Sequence, residues 1–166
     1  YRFQKPGDEQ YPAMIELFCR APGGMILAPG SHLAPVPIDE AVASLSAILL
    51  DDDYYEFVRS GRRETDGLPW VGEDRLIPLK AVAWLELTAR LAGGEAIDAR
   101  SIRKHAQDVL RLAQLLTPDT RIVVAEKIGR DLAQFLDALA GDTTLDPRAL
   151  KLAGTLGEIA ARIRRA

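Results

Sequence analysis

Glu16 is an acidic residue in an apolar setting. It stands between Ile15 and Leu17, in a segment whose composition predicts a β-strand. Because side chains alternate along a strand, Glu16 points to the face opposite these two neighbours. A carboxylate with apolar neighbours is costly unless it finds a partner or a metal ion. The position therefore fits a metal ligand, a solvated strand residue or one half of an ion pair.

Lys80 borders the apolar face of a predicted helix. It lies one turn before Trp84. A lysine at the edge of such a face usually extends its ammonium group to water. The apolar face itself recurs every three or four residues and consists of Leu76, Leu79, Ala83, Leu87 and Leu91.

Lys104 and Asp108 are four residues apart on the next predicted helix, with His105 between them. This spacing places both side chains on one helix face, where they could form a surface ion pair. Such a pair contributes only about 0.3–0.5 kcal/mol, which makes it a weak structural reason for the two residues.

Further charged and aromatic residues have structural interpretations. The acids Asp51 to Asp53 resemble a metal cluster, but at a helix start they favour the positive end of the helix dipole. Trp70 and the pair Tyr54 and Tyr55 are interpreted as core or interface residues. The cations Arg162, Arg164 and Arg165 end a predicted helix, where positive charge is favoured, and a nucleic-acid contact is the alternative.

The N-terminal part predicts short strands. Residues 1–5 and 13–20 predict two strands joined by a turn, and Leu68 to Val71 predicts another after the turn at Asp66-Gly67. A short helix is predicted from Asp51 to Ser60, with Gly61 as its stop.

Four longer helices follow, and each has its own boundary signals. The first ends at Gly93-Gly94, the second begins at the cap Asp98, and the fourth has Pro147 in its first turn. The predicted ranges are Glu73 to Ala92, Asp98 to Leu116, Val123 to Ala140, and Asp146 to Arg165. We predict an α+β fold in which a small mixed sheet (residues 1–72) precedes a helical bundle (residues 73–166), the two packed as one unit.

The composition describes a globular protein, and the length fits one domain or a part of a larger one. The 166 residues carry 21 Lys and Arg against 24 Asp and Glu, which is atypical of a protein that binds nucleic acid over its whole surface. Cys19, the single cysteine, excludes an internal disulfide and fits the reducing cytoplasm. No apolar run approaches the ~20 residues of a membrane span, so no membrane partner is expected. The chain begins at Tyr1 inside a predicted strand, and we expect it to be a fragment.

Three stretches together resemble the downstream part of AbiEii/AbiGii-like nucleotidyltransferases. The resemblance depends on their order and spacing, includes the segment Leu45 to Phe57, and covers most of residues 1 to 140. The stretches are Met14-Ile-Glu-Leu-Phe-Cys-Arg20, Leu76-Ile-Pro-Leu-Lys-Ala-Val-Ala-Trp-Leu-Glu-Leu87 and Ile102-Arg-Lys-His-Ala-Gln-Asp-Val-Leu-Arg-Leu112.

The resemblance implies a site for nucleotidyl transfer from an NTP with Mg²⁺. Glu16 matches the third metal-binding carboxylate of that fold, and Lys80 matches a triphosphate-binding lysine. Lys104 and Asp108 would face the active cleft, where Asp108 would orient Lys80 or a substrate hydroxyl. The implied class is a bacterial toxin-like or defence protein, and the acceptor could be RNA, a protein or a small molecule.

The two main metal-binding carboxylates of that family have no counterpart in this sequence. Gly30-Ser31 followed by Asp39-Glu40 does not replace them, because adjacent acids on a strand point to opposite faces. One carboxylate does not hold a pair of Mg²⁺ ions, so the chain alone is expected to be inactive. The alternative function is a non-catalytic module whose strand edge at residues 1–5 binds an antitoxin or a second copy.

Overall fold

The computed structural model describes residues 2–4, 7, 10, 14–16 and 52–166. In this part of the chain, helices predominate and the strands are short and antiparallel, which confirms a mixed α+β protein. The mixed sheet and the nucleotidyltransferase fold stay predictions, as does the division at residue 72.

Strands β1 (Arg2–Gln4) and β2 (Met14–Glu16) form an antiparallel pair in which Arg2 lies opposite Glu16. Both strands fall inside the ranges predicted from the sequence. For these strands the backbone alone is described. Several features named in the sequence analysis lie outside the described residues, namely Cys19, Gly30-Ser31, Asp39-Glu40 and the first part of the segment Leu45 to Phe57.

A second antiparallel pair follows the first described helix. Strands β3 (Arg62–Thr65) and β4 (Leu68–Val71) are joined at Asp66 and Gly67, whose φ angles of 51° and 76° are typical of a type I′ turn. The predicted turn and the strand at Leu68 are confirmed. Strand β3 was not predicted, because its four polar residues show no alternation of apolar and polar side chains.

The described helices are α1 (Asp52–Ser60), α2 (Glu73–Ala92), α3 (Ala99–Leu112), α4 (Glu126–Ala140) and α5 (Leu156–Arg165). The predicted bounds of α2 are confirmed. Asp98 caps α3 as predicted, since its side chain accepts a hydrogen bond from the Arg100 backbone N–H at 2.9 Å. A 3₁₀ turn (Ala113–Leu115) extends α3.

Helix α4 begins three residues later than predicted, after the non-helical backbone of residues 121–125. There the backbone N–H of Ile122 donates to the Ala166 carbonyl at 2.6 Å. This contact between distant parts of the chain holds the segment outside the helix. Sequence periodicity could not reveal it, because the partner is remote in sequence.

The predicted start of α5 at Asp146 was wrong. Asp146 does accept a hydrogen bond from the Arg148 backbone N–H, but the turn that follows ends at Lys151, whose φ is 58°. The helix begins instead after Thr155, which forms a reciprocal capping box with Glu158. The capping box satisfies two donors at once and therefore determines where the helix starts.

Two apolar clusters hold the helices together. The smaller cluster joins α1, α2 and α4, while the larger joins α2 to α5, and Ile122 packs against both. The smaller one contains Tyr54, Phe57, Val58, Leu79, Val82, Ala83 and Ile128. Helix α2 thus contributes side chains to both clusters and forms the centre of the bundle. None of the described helices has the length and apolar character that crossing a membrane requires.

Candidate functional site

Lys80 and Asp108 meet where helices α2 and α3 pack together. The Lys80 ammonium lies 3.7 Å from Oδ2 of Asp108, and the two side chains are 18% and 25% exposed. The two residues come from different helices, so the contact is a product of tertiary packing. It brings together two of the residues to which the sequence analysis assigned a shared site.

The packing of α2 on α3 explains this contact. Ala81 on α2 and Ala106 on α3 are both buried in the larger cluster. Ala81 directly follows Lys80 in the sequence, and Ala106 lies close to Asp108. The separation between packed helices depends on the size of the contacting side chains, so alanines allow close approach. Val109 is fully buried, which fixes the rotation of α3 and places Asp108 at the edge of the interface.

Arg111 is a third member of this group, which we call the α2–α3 charge cluster (Lys80, Asp108, Arg111). Its Nη1 lies 3.4 Å from Oδ1 of Asp108, and its side chain is 51% exposed. One carboxylate therefore faces two cations, one on each oxygen. The cluster has a net charge of +1 and is suited to an anion.

The outward face of α3 extends this positive charge. Helix α3 contains four cations and one acid, which is Asp108. Arg100, Arg103 and Lys104 are exposed, and none of them forms an ion pair with the described part of the chain. The surface pair between Lys104 and Asp108 is thus not formed, since Asp108 pairs with Lys80 and Arg111. A concentration of one sign of charge raises the local concentration of oppositely charged ligands.

The metal site implied by the resemblance is not supplied by the described residues. Within them, no group of three or more His, Cys, Asp and Glu side chains is arranged to hold a metal ion. Asp108 already faces two cations, so it does not fit a Mg²⁺ ligand set. The backbone of Glu16 lies in β2, but its side chain is outside the described structure. The role of Glu16 stays a prediction.

A concave site lies between α1, α2 and α4, and we call it the α1–α4 cleft. It has a volume of about 340 Å³ and is lined by Tyr54, Val82, Leu85, Glu86, Ala89, Lys127, Asp131 and Gln134. Ala89 follows Lys80 by two and a half helical turns, so the cleft and the charge cluster lie on opposite faces of α2.

The polar groups of the α1–α4 cleft are held by one another. The hydroxyl of Tyr54 donates to Oδ2 of Asp131 at 2.8 Å, and the Lys127 ammonium lies 6.0 Å from the centre of the Tyr54 ring. Tyr54 is almost completely buried, as the sequence predicted for a core residue. With two carboxylates against one ammonium group, this cleft does not favour an anionic ligand.

Other predicted residues have structural roles. Asp52 and Asp53 lie in the first turn of α1, as expected for acids at a helix start. Arg164 forms an ion pair with Asp137 at 2.6 Å, and Arg162 donates to the Ala113 carbonyl at 3.3 Å. These contacts favour the structural interpretation of the C-terminal arginines over a nucleic-acid contact.

Trp70 is not a core residue, because 45% of its surface is exposed on the β3–β4 hairpin. Its indole N–H donates to the Thr65 hydroxyl, and the Arg63 guanidinium lies 5.1 Å from its ring. The interpretation of Trp70 as an interface residue stays a prediction.

Sequence reasoning missed Arg111 as a member of the site. The available signal was its position three residues after Asp108, which places both side chains on one helix face. Tyr54 and Asp131 were missed as partners because they are 77 residues apart in sequence.

No protein-family model matches the sequence, and no curated protein or solved structure shows significant similarity to it. The resemblance to AbiEii/AbiGii-like nucleotidyltransferases therefore rests on the residues that carry it.

Proposed function

We propose that this chain is the nucleotide-binding helical part of a bacterial nucleotidyltransferase of the AbiEii/AbiGii toxin-like type. In this proposal Lys80 binds the triphosphate of an NTP and Asp108 orients the Lys80 ammonium. The observation that supports it is the meeting of Lys80 and Asp108 at 3.7 Å across the α2–α3 packing. Their geometry agrees with the roles that the resemblance assigns.

The chemistry of such a transfer depends on positioning and charge. A nucleotidyl transfer passes through a state in which negative charge spreads over phosphate oxygens, and catalysis consists largely of holding and neutralising those oxygens. An ammonium group that is mostly removed from water interacts more strongly with phosphate than one in bulk solvent. Asp108 attracts the Lys80 ammonium and so favours those positions of the flexible Lys80 side chain that lie near it. Lys80 thus presents its charge to the substrate without a large cost in side-chain entropy.

The rest of the proposal concerns residues and partners beyond this pair. Glu16 would support Mg²⁺ together with carboxylates outside this chain. Lys104 would face the active site of the transferase from α3. The proposed setting is the cytoplasm, and the acceptor is RNA, a protein or a small molecule. The chain by itself is proposed to bind nucleotide without transferring it.

Calorimetric titration of this chain with an NTP and Mg²⁺ tests the nucleotide site. We expect binding to the wild type and its loss in Lys80→Ala. Lys127→Ala is the matched control, because Lys127 is also a partly buried lysine and lies in the α1–α4 cleft. Equal binding by wild type and Lys80→Ala would contradict the proposal, and so would loss of binding in Lys127→Ala alone.

Asp108 is tested in a complete protein that has the upstream carboxylates. Asp108→Ala should lose nucleotidyl transfer while its melting temperature stays close to that of the wild type. Wild-type activity in this variant would show that Asp108 has no part in the reaction.

The second candidate function is a non-catalytic module that binds a partner protein or self-associates. The β3–β4 hairpin favours it, since Leu68 and Trp70 are 71% and 45% exposed on one strand. Sedimentation velocity of the wild type and of Leu68→Ser/Trp70→Ser tests self-association. A wild-type dimer that becomes a monomer in the double variant would support the module. Monomers in both proteins would exclude self-association through this hairpin.

A further inference from the structure

The α2–α3 charge cluster contains one acid between two basic groups from different helices. Lys80 approaches Oδ2 of Asp108 at 3.7 Å, and Arg111 approaches Oδ1 at 3.4 Å. Charge-assisted hydrogen bonds between nitrogen and carboxylate oxygen are usually about 2.7–2.9 Å long. Both contacts are therefore loose, and neither cation is fully engaged by the carboxylate.

Surface ion pairs elsewhere in the molecule are tighter. The Arg130–Glu126 and Arg164–Asp137 contacts are both 2.6 Å long, although all four of these side chains are well exposed. The looseness is thus particular to Asp108, since Asp74, which also faces two cations, lies 2.9 Å from Arg63 and 3.1 Å from Arg75. A shared carboxylate leaves each cation with hydrogen-bonding capacity for a second anion.

The charge balance of the cluster also favours binding of a further anion. One carboxylate neutralises only one of the two cations, so the cluster keeps an excess positive charge that a bound anion would balance. Arg100 and Lys104 on the same helix add to the positive potential, whereas Arg103 also acts on the carboxylate of Asp142. The two cations of the cluster share a single carboxylate, and each contacts a different one of its two oxygens.

We propose that Arg111 is a second anion-binding residue of the Lys80 site, and that together they select a ligand with two or more adjacent phosphates over a single phosphate. A polyphosphate gives each cation its own phosphate group, while an isolated phosphate satisfies one of them. The arginine contributes a planar fork of donors that fits two phosphate oxygens, and lysine contributes a point charge. This inference rests on the proposed function, which places the NTP triphosphate at Lys80.

Binding of inorganic tripolyphosphate to this chain, measured by calorimetry without metal, tests the inference. We expect the wild type to bind tripolyphosphate and the affinity to fall at least tenfold in Arg111→Gln. This loss corresponds to about one hydrogen bond between charged groups. Arg111→Lys should recover part of the loss, because it keeps the charge and loses the fork. Inorganic phosphate should bind the wild type much more weakly, and Arg111→Gln should change its affinity little.

Arg130→Gln is the control variant, since Arg130 forms an exposed ion pair within α4. Each protein's melting temperature is measured in parallel to exclude unfolding. The inference is overturned if wild type and Arg111→Gln bind tripolyphosphate equally, if Arg130→Gln weakens binding as much as Arg111→Gln does, or if the wild type does not bind it.

The two proposals fail in different ways. Arg111-dependent tripolyphosphate binding in a complete protein that transfers no nucleotide would retain the anion site and reject the transferase. Nucleotidyl transfer that needs Lys80 but is unchanged in Arg111→Gln would retain the transferase and reject the role of Arg111.

Discussion

A lysine and a carboxylate lie near each of two opposite faces of helix α2, but their contacts differ between the two faces. In the α2–α3 charge cluster, Asp108 is shared by two cations at 3.4 and 3.7 Å. In the α1–α4 cleft, Asp131 accepts a hydrogen bond of 2.8 Å from the buried Tyr54, whose ring also lies beneath Lys127. The first arrangement leaves positive charge without a full partner, while the second ties its polar groups to an aromatic core residue.

The difference shows that residue types alone do not identify a binding site. A carboxylate near a lysine is a structural feature when a core residue fixes the carboxylate. It is a candidate ligand site when the cations outnumber it and both contacts are long. Stability should therefore depend on the cleft residues, whereas anion binding should depend on the cluster. Two predictions test this contrast, and a third tests the capping box at the start of α5.

The largest effect is expected at the centre of the cleft. Tyr54→Ala removes a buried aromatic ring from the smaller cluster, and should lower the free energy of unfolding by about 3–5 kcal/mol. Tyr54→Phe keeps the ring and removes only the hydroxyl that donates to Asp131, which should cost about 1 kcal/mol. Urea denaturation of both variants measures the two contributions. If the Tyr54→Ala protein were as stable as the wild type, the proposed structural role of the cleft would be wrong.

A smaller effect is expected at the start of α5, away from both faces of α2. Hydrogen bonds from the backbone N–H and the hydroxyl of Thr155 lower the pKa of Glu158 below its ordinary value of 4.5. A carboxylate with a lowered folded-state pKa stabilises the fold above its unfolded pKa, and this stabilisation is lost as the pH falls through the folded pKa. The stability difference between wild type and Glu158→Ala should be constant above about pH 5.5 and shrink in acid, starting near pH 4.5.

Urea denaturation at several pH values measures this difference. The dependence should become weaker in Thr155→Ala, which lacks the hydroxyl of the capping box but keeps the backbone N–H that donates to Glu158. A stability difference that grows in acid would contradict the assignment of the capping box.

The smallest change in stability is expected in the charge cluster. The double variant Lys80→Met/Asp108→Leu replaces a partly buried ion pair by apolar residues of similar size, an exchange that is often neutral or stabilising. We expect its free energy of unfolding to lie within about 1 kcal/mol of the wild type. Its tripolyphosphate binding should be lost. A strongly destabilised double variant would show that the cluster, like the cleft, stabilises the fold. The proposed difference between the two faces would then be wrong.

Local sequence signals predicted much of the secondary structure. The turn at Asp66-Gly67 and the cap at Asp98 each depend on one or two residues whose chemistry is decisive wherever they stand. The bounds of α2 follow from its apolar period and from the glycines after Ala92. The start of α5 was wrong because two local signals competed, and the reciprocal bonds of Thr155 and Glu158 prevailed over Asp146.

The candidate site was predictable in part. Lys80 and Asp108 were identified through the order and spacing of the stretches that carry the resemblance. Their distance could not be predicted, because it depends on how far α3 rotates and how closely its alanines allow it to approach α2. Arg111 was missed for the same reason, since its position relative to Lys80 exists only after the two helices pack.

The sequence by itself determined where most of the described helices begin and end, which faces are apolar, and that α3 carries an excess of positive charge. These properties depend on residues within a few positions of one another. The tertiary structure alone decided that Asp108 serves both Lys80 and Arg111, that Tyr54 fixes Asp131, and that the two arrangements lie on opposite faces of α2. Contacts between residues on different elements depend on the rotation and separation of packed helices, and these are set by the fit of many side chains at once.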